Sequence, residues 1–239
     1  MFKKHLGNFG RRIIHKELQK KGIFVSEYRI TKILKDKGLR SKYGRKKGKN
    51  VHTAECTAKY IQPNLFAQLK EENRQNMNIW SMDFSEVRLQ GKKYYMFGIV
   101  SVNSKKCIAL NVSEYQNKEI VESTLINAIA KFSRPDIIMS DRGCQFVSEK
   151  IYSFMKSHKI KHSMSKPHKP VQNCYIETFW KTLKTEIGKT EHLNINKLKM
   201  VLQYYLKYYN YDRPHSSLNY TPPMKYSALL QNKKLSLSL

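Results

Sequence analysis

Hydrophobic positions along this chain change period as the chain proceeds. Ile13, Ile14 and Leu18 recur at helical spacing in a run that stops near Gly22. Ile30, Ile33 and Leu34 then form one apolar face of a second segment, which Ser26 can cap and Gly38 can close. The spacing predicts two short helices joined by roughly four residues, a helix-turn-helix outline. Residues 42–49 (KYGRKKGK) lack apolar periodicity and read as a basic linker, with further connector or a short helix over 63–75. From Asn78 the pattern changes to that of strands. Ile79–Leu89, Lys93–Val102 and Cys107–Val112 predict an antiparallel meander, with a turn at Leu89-Gln90-Gly91-Lys92. Ile120, Val121, Leu125, Ile126 and Ile129 predict a helix of about four turns over 117–132. Short strands at 135–140 and 162–165, and helices at 147–157, 175–187 and 197–209, complete the set.

Meander first, then helix and strand in alternation, predicts an α/β class: a mixed sheet flanked by helices, preceded by a small all-helical domain. The chain divides accordingly into a helix-turn-helix region (1–41), a basic linker and connector (42–75), a core (76–190), and a C-terminal helix and tail that complete the core (191–239).

Charge narrows the function. The 239 residues hold 45 Lys+Arg against 18 Asp+Glu, a net charge of +27, which implies a polyanionic partner. The longest apolar stretches, Met96–Val102 and Ile108–Val112, fall far short of the roughly 18 residues a membrane span needs. Residues 1–10 lack the apolar region of a signal peptide, so the expected setting is cytoplasmic and nucleoid-associated. The first 50 residues hold 17 Lys/Arg and three acids. On the second helix Tyr28, Arg29, Lys32, Lys35 and Lys37 mostly lie off the apolar stripe and can meet DNA. Arg45, Lys46 and Lys47 in the linker can touch phosphates without regard to sequence. The four cysteines are scattered without a CxxC pair and are expected to be free thiols. His158 and His162 have a zinc-like spacing that no cysteine pair completes.

Against that basic background three acids stand out. Asp83 sits mid-strand in IWSMDFSEV, where aspartate is disfavoured, and alternates with Met82 and Phe84. Asp141 follows a strand in IIMSDRGCQF, at the carboxyl end where ligand sites of α/β sheets collect. Glu177 lies in the first turn of the next helix, with 35 residues between it and Asp141. Lys181 and Lys184 share its helix face, Lys184 roughly 10 Å further along the axis. Each acid also has an ordinary explanation: an exposed strand position, a turn, a helix-dipole partner. Together, carboxylates in a phosphate-attracting field imply an intervening divalent metal and phosphodiester chemistry. Trp80, Phe179 and Trp180 can be read as base-stacking groups or as core, and Arg213 and His215 as DNA contacts or as structural hydrogen-bonding groups.

The segments IWSMDFSEV, MSDRGCQFVS and NCYIETFWKTLKTE resemble those of the D,D(35)E insertion-sequence transposases of the integrase-core superfamily. The tail YYNYDRPHSSLNYTPPMKY is similar to that family's Asn-x-x-Arg-x-His ending. GRRIIHKELQKKGIFVSEYRITKILKDKGLR resembles the helix-turn-helix of its second-reading-frame product. The resemblance covers about residues 6–227.

It implies a ribonuclease H-like fold, with Asp83, Asp141 and Glu177 as catalytic acids holding two Mg²⁺ ions, or Mn²⁺ in their place. It implies strand cleavage and 3′-OH transfer at terminal inverted repeats, Lys184, Lys181 and Arg142 as DNA contacts, a homo-oligomer on paired ends, and a first-frame product as a possible partner. Where the family often has Gly-Asn-Pro-Tyr-Asp-Asn-Ala, residues 168–174 read HKPVQNC, keeping Pro170 and Asn173. The chain also begins later than the family's helix-turn-helix usually does. The alternative is a truncated copy that binds the element's ends without catalysis.

Overall fold

Eleven alternating residues form β1 (Ile79–Leu89), the central strand of a five-stranded sheet. The computed structural model describes residues 9–39, 58–165 and 173–236. Gln90 and Gly91 both take positive φ, a turn geometry whose twist suits a two-residue hairpin, and return the chain into β2 (Lys92–Ser101). β3 (Cys107–Ser113) pairs antiparallel with β2, completing the predicted meander. Helix α5 (Lys118–Lys131) begins where the Asn117 side chain accepts the Ile120 N–H. It crosses to β4 (Ile137–Ser140), which lies parallel to β1 on its other side. Helix α6 (Glu149–Ser157), capped by Ser148, leads to β5 (Lys161–Met164), parallel to β4. The sheet order is β3-β2-β1-β4-β5.

β1 is covered on both faces, so its alternation distributes side chains between two cores. Trp80, Met82 and Phe84 point into a core with Phe97, Leu125, Phe146 and Ile151, under α5 and α6. Val87 and Leu89 point the other way, with Met96, Val100, Ile176, Trp180, Leu183 and Leu202. That second core is roofed by α7 (Cys174–Ile187) and α8 (Ile195–Lys207), the latter capped by Asn194. A π-helical turn (Tyr208–Asp212) follows, then α9 (Pro223–Ser236), a helix that the apolar pattern does not announce. The connector holds two short helices, α3 (Leu65–Gln68) and α4 (Glu71–Asn76). No helix among the described residues is long and apolar enough to cross a membrane.

The amino-terminal pair is α1 (Arg11–Lys20) and α2 (Glu27–Asp36), joined by six residues rather than four. Ser26 caps α2 by accepting the Arg29 N–H, and Gly38 ends it at φ +62°. Phe9, Ile14 and Ile30 form a miniature core with Leu18, Val25 and Leu34 around it. Ile33 corrects the expected apolar face: it is largely exposed, because so small a core seats only one turn of α2 fully.

Candidate active site

Strand pairing alone brings two of the three acids together. β1 and β4 run parallel with Ile79 opposite Ile137 and Ser81 opposite Met139. Continued by two residues, this register sets Asp141, just past the end of β4, beside Asp83. Asp83 is on the face that α7 covers, so it is not the solvent-facing strand residue that a half-buried sheet would allow. Asp141 accepts the Gly143 N–H at 2.9 Å, so it also performs the turn chemistry its Asp-Arg-Gly context suggests.

Helix α7 brings the third acid. Ser81 donates its hydroxyl to the Asn173 side-chain oxygen at 2.9 Å, and both residues are buried. This bond pins the start of α7 two residues below Asp83. From there α7 rises about 6 Å to Glu177, and β1 rises about 6.7 Å from Ser81 to Asp83, so the two acids stand level. Further along, Lys184 comes within electrostatic range of Glu86 and Asp83, and Thr190 donates to the Arg88 carbonyl at 3.0 Å. Helix and strand therefore run side by side.

Gly98 makes that approach possible. It faces Asp83 across β1–β2, and a Cβ there would stand 2.8 Å from Trp180 Cη2 and 2.9 Å from Cζ2. Gly98→Ala is expected to destabilise the protein by about 1–3 kcal/mol through overpacking, measured by urea unfolding. A loss within error of zero would show that α7 is not held at this spot.

The electrostatics of the trio are those of acids lacking counter-charge. Burial first, then the Asp141 and Glu177 charges, hold the Asp83 carboxyl well above the ordinary carboxylate range, against the backbone of Phe84 and the Trp180 side chain, which lower it. Asp141 is raised by burial, with the Gly143 N–H opposing, and Glu177 is raised by desolvation. None of the three forms an ion pair among the described residues, whereas Glu17, Glu27, Glu71, Glu86, Glu122 and Glu186 do. Among the described residues no three His, Cys, Asp or Glu side chains are drawn into a group able to hold a metal ion. The acids share one neighbourhood, since the charges of Asp141 and Glu177 both act on Asp83.

The predicted DNA contacts divide. Lys181 is exposed on the face of Glu177. Lys184 is open to solvent over much of its length, yet partial burial lowers its ammonium pKa while Glu86 and Asp83 raise it. Arg142 has a buried Nε with no partner among the described residues, hydrogen-bonding capacity next to Asp141. Arg29 and Lys32 lie along α2, far in sequence from the acids and outside their electrostatic surroundings. Arg45, Lys46 and Lys47 lie outside the described residues, as does most of the altered loop before Asn173. Trp80, Phe179 and Trp180 are core residues, at most 5% exposed, and offer no face to a base. Arg213 is buried against Glu186, a structural role. His215 bridges to Thr221 and is pushed down to about 4, by burial and then by the charges of Arg213 and Lys105. His162 is also buried and bonded to Ser140 at 2.8 Å, and His158 stacks on Phe154. Cys107, Cys144 and Cys174 are free thiols.

Sequence reading passed over Ser81, Gly98 and the polar edge of Trp180. A serine two residues before the strand aspartate and a glycine inside β2 were the available signals.

Comparisons with known proteins agree with this architecture. Residues 73–170 and 158–223 match two family descriptions of an integrase core domain, and residues 1–47 match an HTH-like domain. The transposase for insertion sequence element IS904 of Lactococcus lactis subsp. lactis (strain IL1403) is 28% identical over 227 residues, covering 93% of this chain and 88% of that protein. The putative transposase InsK for insertion sequence element IS150 of Escherichia coli (strain K12) is 25% identical, covering 95% and 80%. Among solved structures, a chain of the simian T-cell lymphotropic virus intasome superposes with a TM-score of 0.52 at 18% identity. The superposition covers 62% of this chain and 53% of that one. The catalytic core domain of BIV integrase gives 0.50 at 16% identity, over 66% of this chain and 99% of that one. At those identities the likeness speaks for a shared ribonuclease H-like fold. With the two core matches running together from residue 73 to 223 and transposases aligned along almost the full length, this chain belongs to the insertion-sequence transposases of the integrase-core superfamily.

Proposed function

We propose that this chain carries out divalent-metal-dependent DNA strand cleavage at the terminal inverted repeats of an insertion sequence, followed by transfer of the freed 3′-OH to target DNA. Asp83, Asp141 and Glu177 are the acids that serve it. The observation that carries this reading is the set of three acids with raised pKa values and, among the described residues, no ion-pair partner, in a chain of net charge +27. Their donor set, carboxylate oxygens only, fits a hard divalent cation such as Mg²⁺ or Mn²⁺. Two such ions, when bound, supply Lewis acidity that activates the attacking hydroxyl, stabilises the leaving oxygen and screens carboxylate from phosphate. Asp83 and Asp141 provide a platform fixed by strand pairing, and Glu177 completes it from α7. Lys184 and Lys181 offer cationic groups to the DNA backbone beyond Glu177, and Arg142 offers its guanidinium charge beside Asp141. Arg29 and Lys32 on α2, with Arg45, Lys46 and Lys47 after it, engage duplex DNA outside the reacting site. No side-chain nucleophile enters, so no covalent protein–DNA intermediate forms. The division at residues 41, 75 and 190, assembly as a homo-oligomer on paired ends, and pairing with a first-frame product belong to the same proposal.

The test is a purified full-length chain with Mg²⁺ or Mn²⁺ and a labelled duplex carrying the element's terminal repeat. Nicked and joined products are expected, and both should vanish with a chelator. DNA binding should weaken linearly in log K against log salt, with the steep slope of a protein that displaces many counterions. Tight binding without any product under either metal would instead identify a silent copy that occupies the element's ends.

A further inference from the structure

We propose that Trp180 is a positioning residue for Asp83: its indole N–H holds the Asp83 carboxylate in the orientation from which the cation is bound. The inference rests on the reading of Asp83 as a metal ligand.

Trp180 is 5% exposed, and its Nε1 is buried without a hydrogen-bond partner of ordinary geometry among the described residues. Buried N–H groups are almost always satisfied, because one left unpaired loses its hydration without a replacement. Apolar neighbours account for the ring, but not for a polar edge retained in a packed core. The place of that edge is set by Gly98, opposite Asp83 in β2. The ring atoms nearest the missing Cβ are Cη2 and Cζ2, and Cζ2 is on the same side of the indole as Nε1. The donor edge therefore lies against the strand pair at the level of Asp83. There the indole comes within interaction range of the Asp83 carboxylate.

The chemistry of the side chain suits the task. Indole is a neutral group that donates and does not accept. It can orient one carboxylate oxygen without cancelling the charge that a cation needs. A lysine there would compete with the cation, and a tyrosine could turn its oxygen towards the acid. Helical geometry supplies the rest: Trp180 is three residues after Glu177, so one helix face delivers both an acid and the donor that orients its neighbour.

The chain has two tryptophans, so the indole region of a ¹⁵N–¹H spectrum holds two cross-peaks. Trp80, which donates to Asn78 at 3.1 Å, serves as the internal reference. Asn78→Ala removes the Trp80 acceptor and so assigns that peak and, with it, the other. Asp83→Ala is expected to move the Trp180 indole proton upfield, with Asp83→Asn, which keeps an oxygen acceptor, remaining closer to wild type. A Trp180 peak unmoved by Asp83→Ala would overturn the proposal, and this arm needs no folded Trp180 variant. In calorimetric titration with Mn²⁺, Trp180→Phe is expected to weaken metal binding about tenfold while duplex binding stays unchanged. If Asp83→Ala loses metal binding but Trp180→Phe binds metal as wild type does, the positioning role fails and the metal reading stands. If Asp83→Ala itself binds metal like wild type, the reading of Asp83 fails and takes the inference with it.

Discussion

Asp83→Asn is expected to abolish cleavage and joining while making the metal-free protein more stable. The catalytic loss should reach about 10³-fold or more, because metal-held charge stabilisation is worth several kcal/mol and each 1.36 kcal/mol is tenfold in rate. The stability gain follows from the desolvation of this carboxylate and its repulsion by Asp141 and Glu177. A neutral amide removes that repulsion and should contribute about 1 kcal/mol or more, a rise of roughly 2–4 °C in Tm for a chain of this size.

The pH dependence has a definite sign. The Asp83 pKa is higher folded than unfolded, so its contribution is present in full below the ordinary carboxylate value of about 4 and is lost as pH rises through the raised value. Asp141 and Glu177 act in the same direction. His162 and His215, both pushed down to about 4, act oppositely: their contribution is present above about 6.5 and is lost as pH falls towards 4. The informative quantity is therefore the difference between wild type and Asp83→Asn, measured by thermal melts in chelator across that range. It should widen in favour of the variant as pH rises and shrink when Mg²⁺ is added. Equal stability at every pH, or retained strand transfer by the variant, would remove Asp83 from the proposed site.

The second large effect is expected far from the acids. Arg213 donates to Glu186 at 2.9 Å, Tyr205 donates to the other Glu186 oxygen at 3.1 Å, and all three are buried. This cluster ties the end of α7 to α8 and to the tail. Removing the cation alone leaves a buried carboxylate, at a cost of about 3–5 kcal/mol. Arg213→Met should accordingly lower Tm by roughly 6–20 °C. The double variant Arg213→Met with Glu186→Gln should recover much of the loss, since a pair replaced together leaves less uncompensated charge. A single variant within about 1 kcal/mol of wild type would show the pair to be dispensable.

Much of the fold could be read from local pattern. Ile79–Leu89 is bounded as its alternation indicates, because Gln90-Gly91 forces a turn and the flanking residues share one period. Helices with a capping side chain, such as α5 after Asn117 and α6 after Ser148, begin within two residues of where their apolar spacing places them. The π-helical turn at Tyr208–Asp212 was not legible, since its run of tyrosines continues the helical pattern while Asn210 leaves it to clasp the backbone of Cys107. α9 was hidden for the opposite reason: its apolar residues define no single face.

Of the site, residue types and chain order were enough to single out Asp83, Asp141 and Glu177, because acids are conspicuous in so basic a chain and their flanking words are specific. Their neighbourhood was not readable in that way. Asp83 and Asp141 are 58 residues apart and become neighbours only through the parallel β1–β4 register. Glu177 joins them because Ser81 holds Asn173 and because Gly98 leaves room for Trp180. Arg213 likewise has one chemistry in the sequence and two possible uses, and burial against Glu186 selects the structural one. Helix and strand tendencies arise from forces between residues a few positions apart, so a linear reading captures them. Charge repulsion, desolvation and close packing act between residues that only the fold makes adjacent, and those forces are what turn three acids into a candidate site.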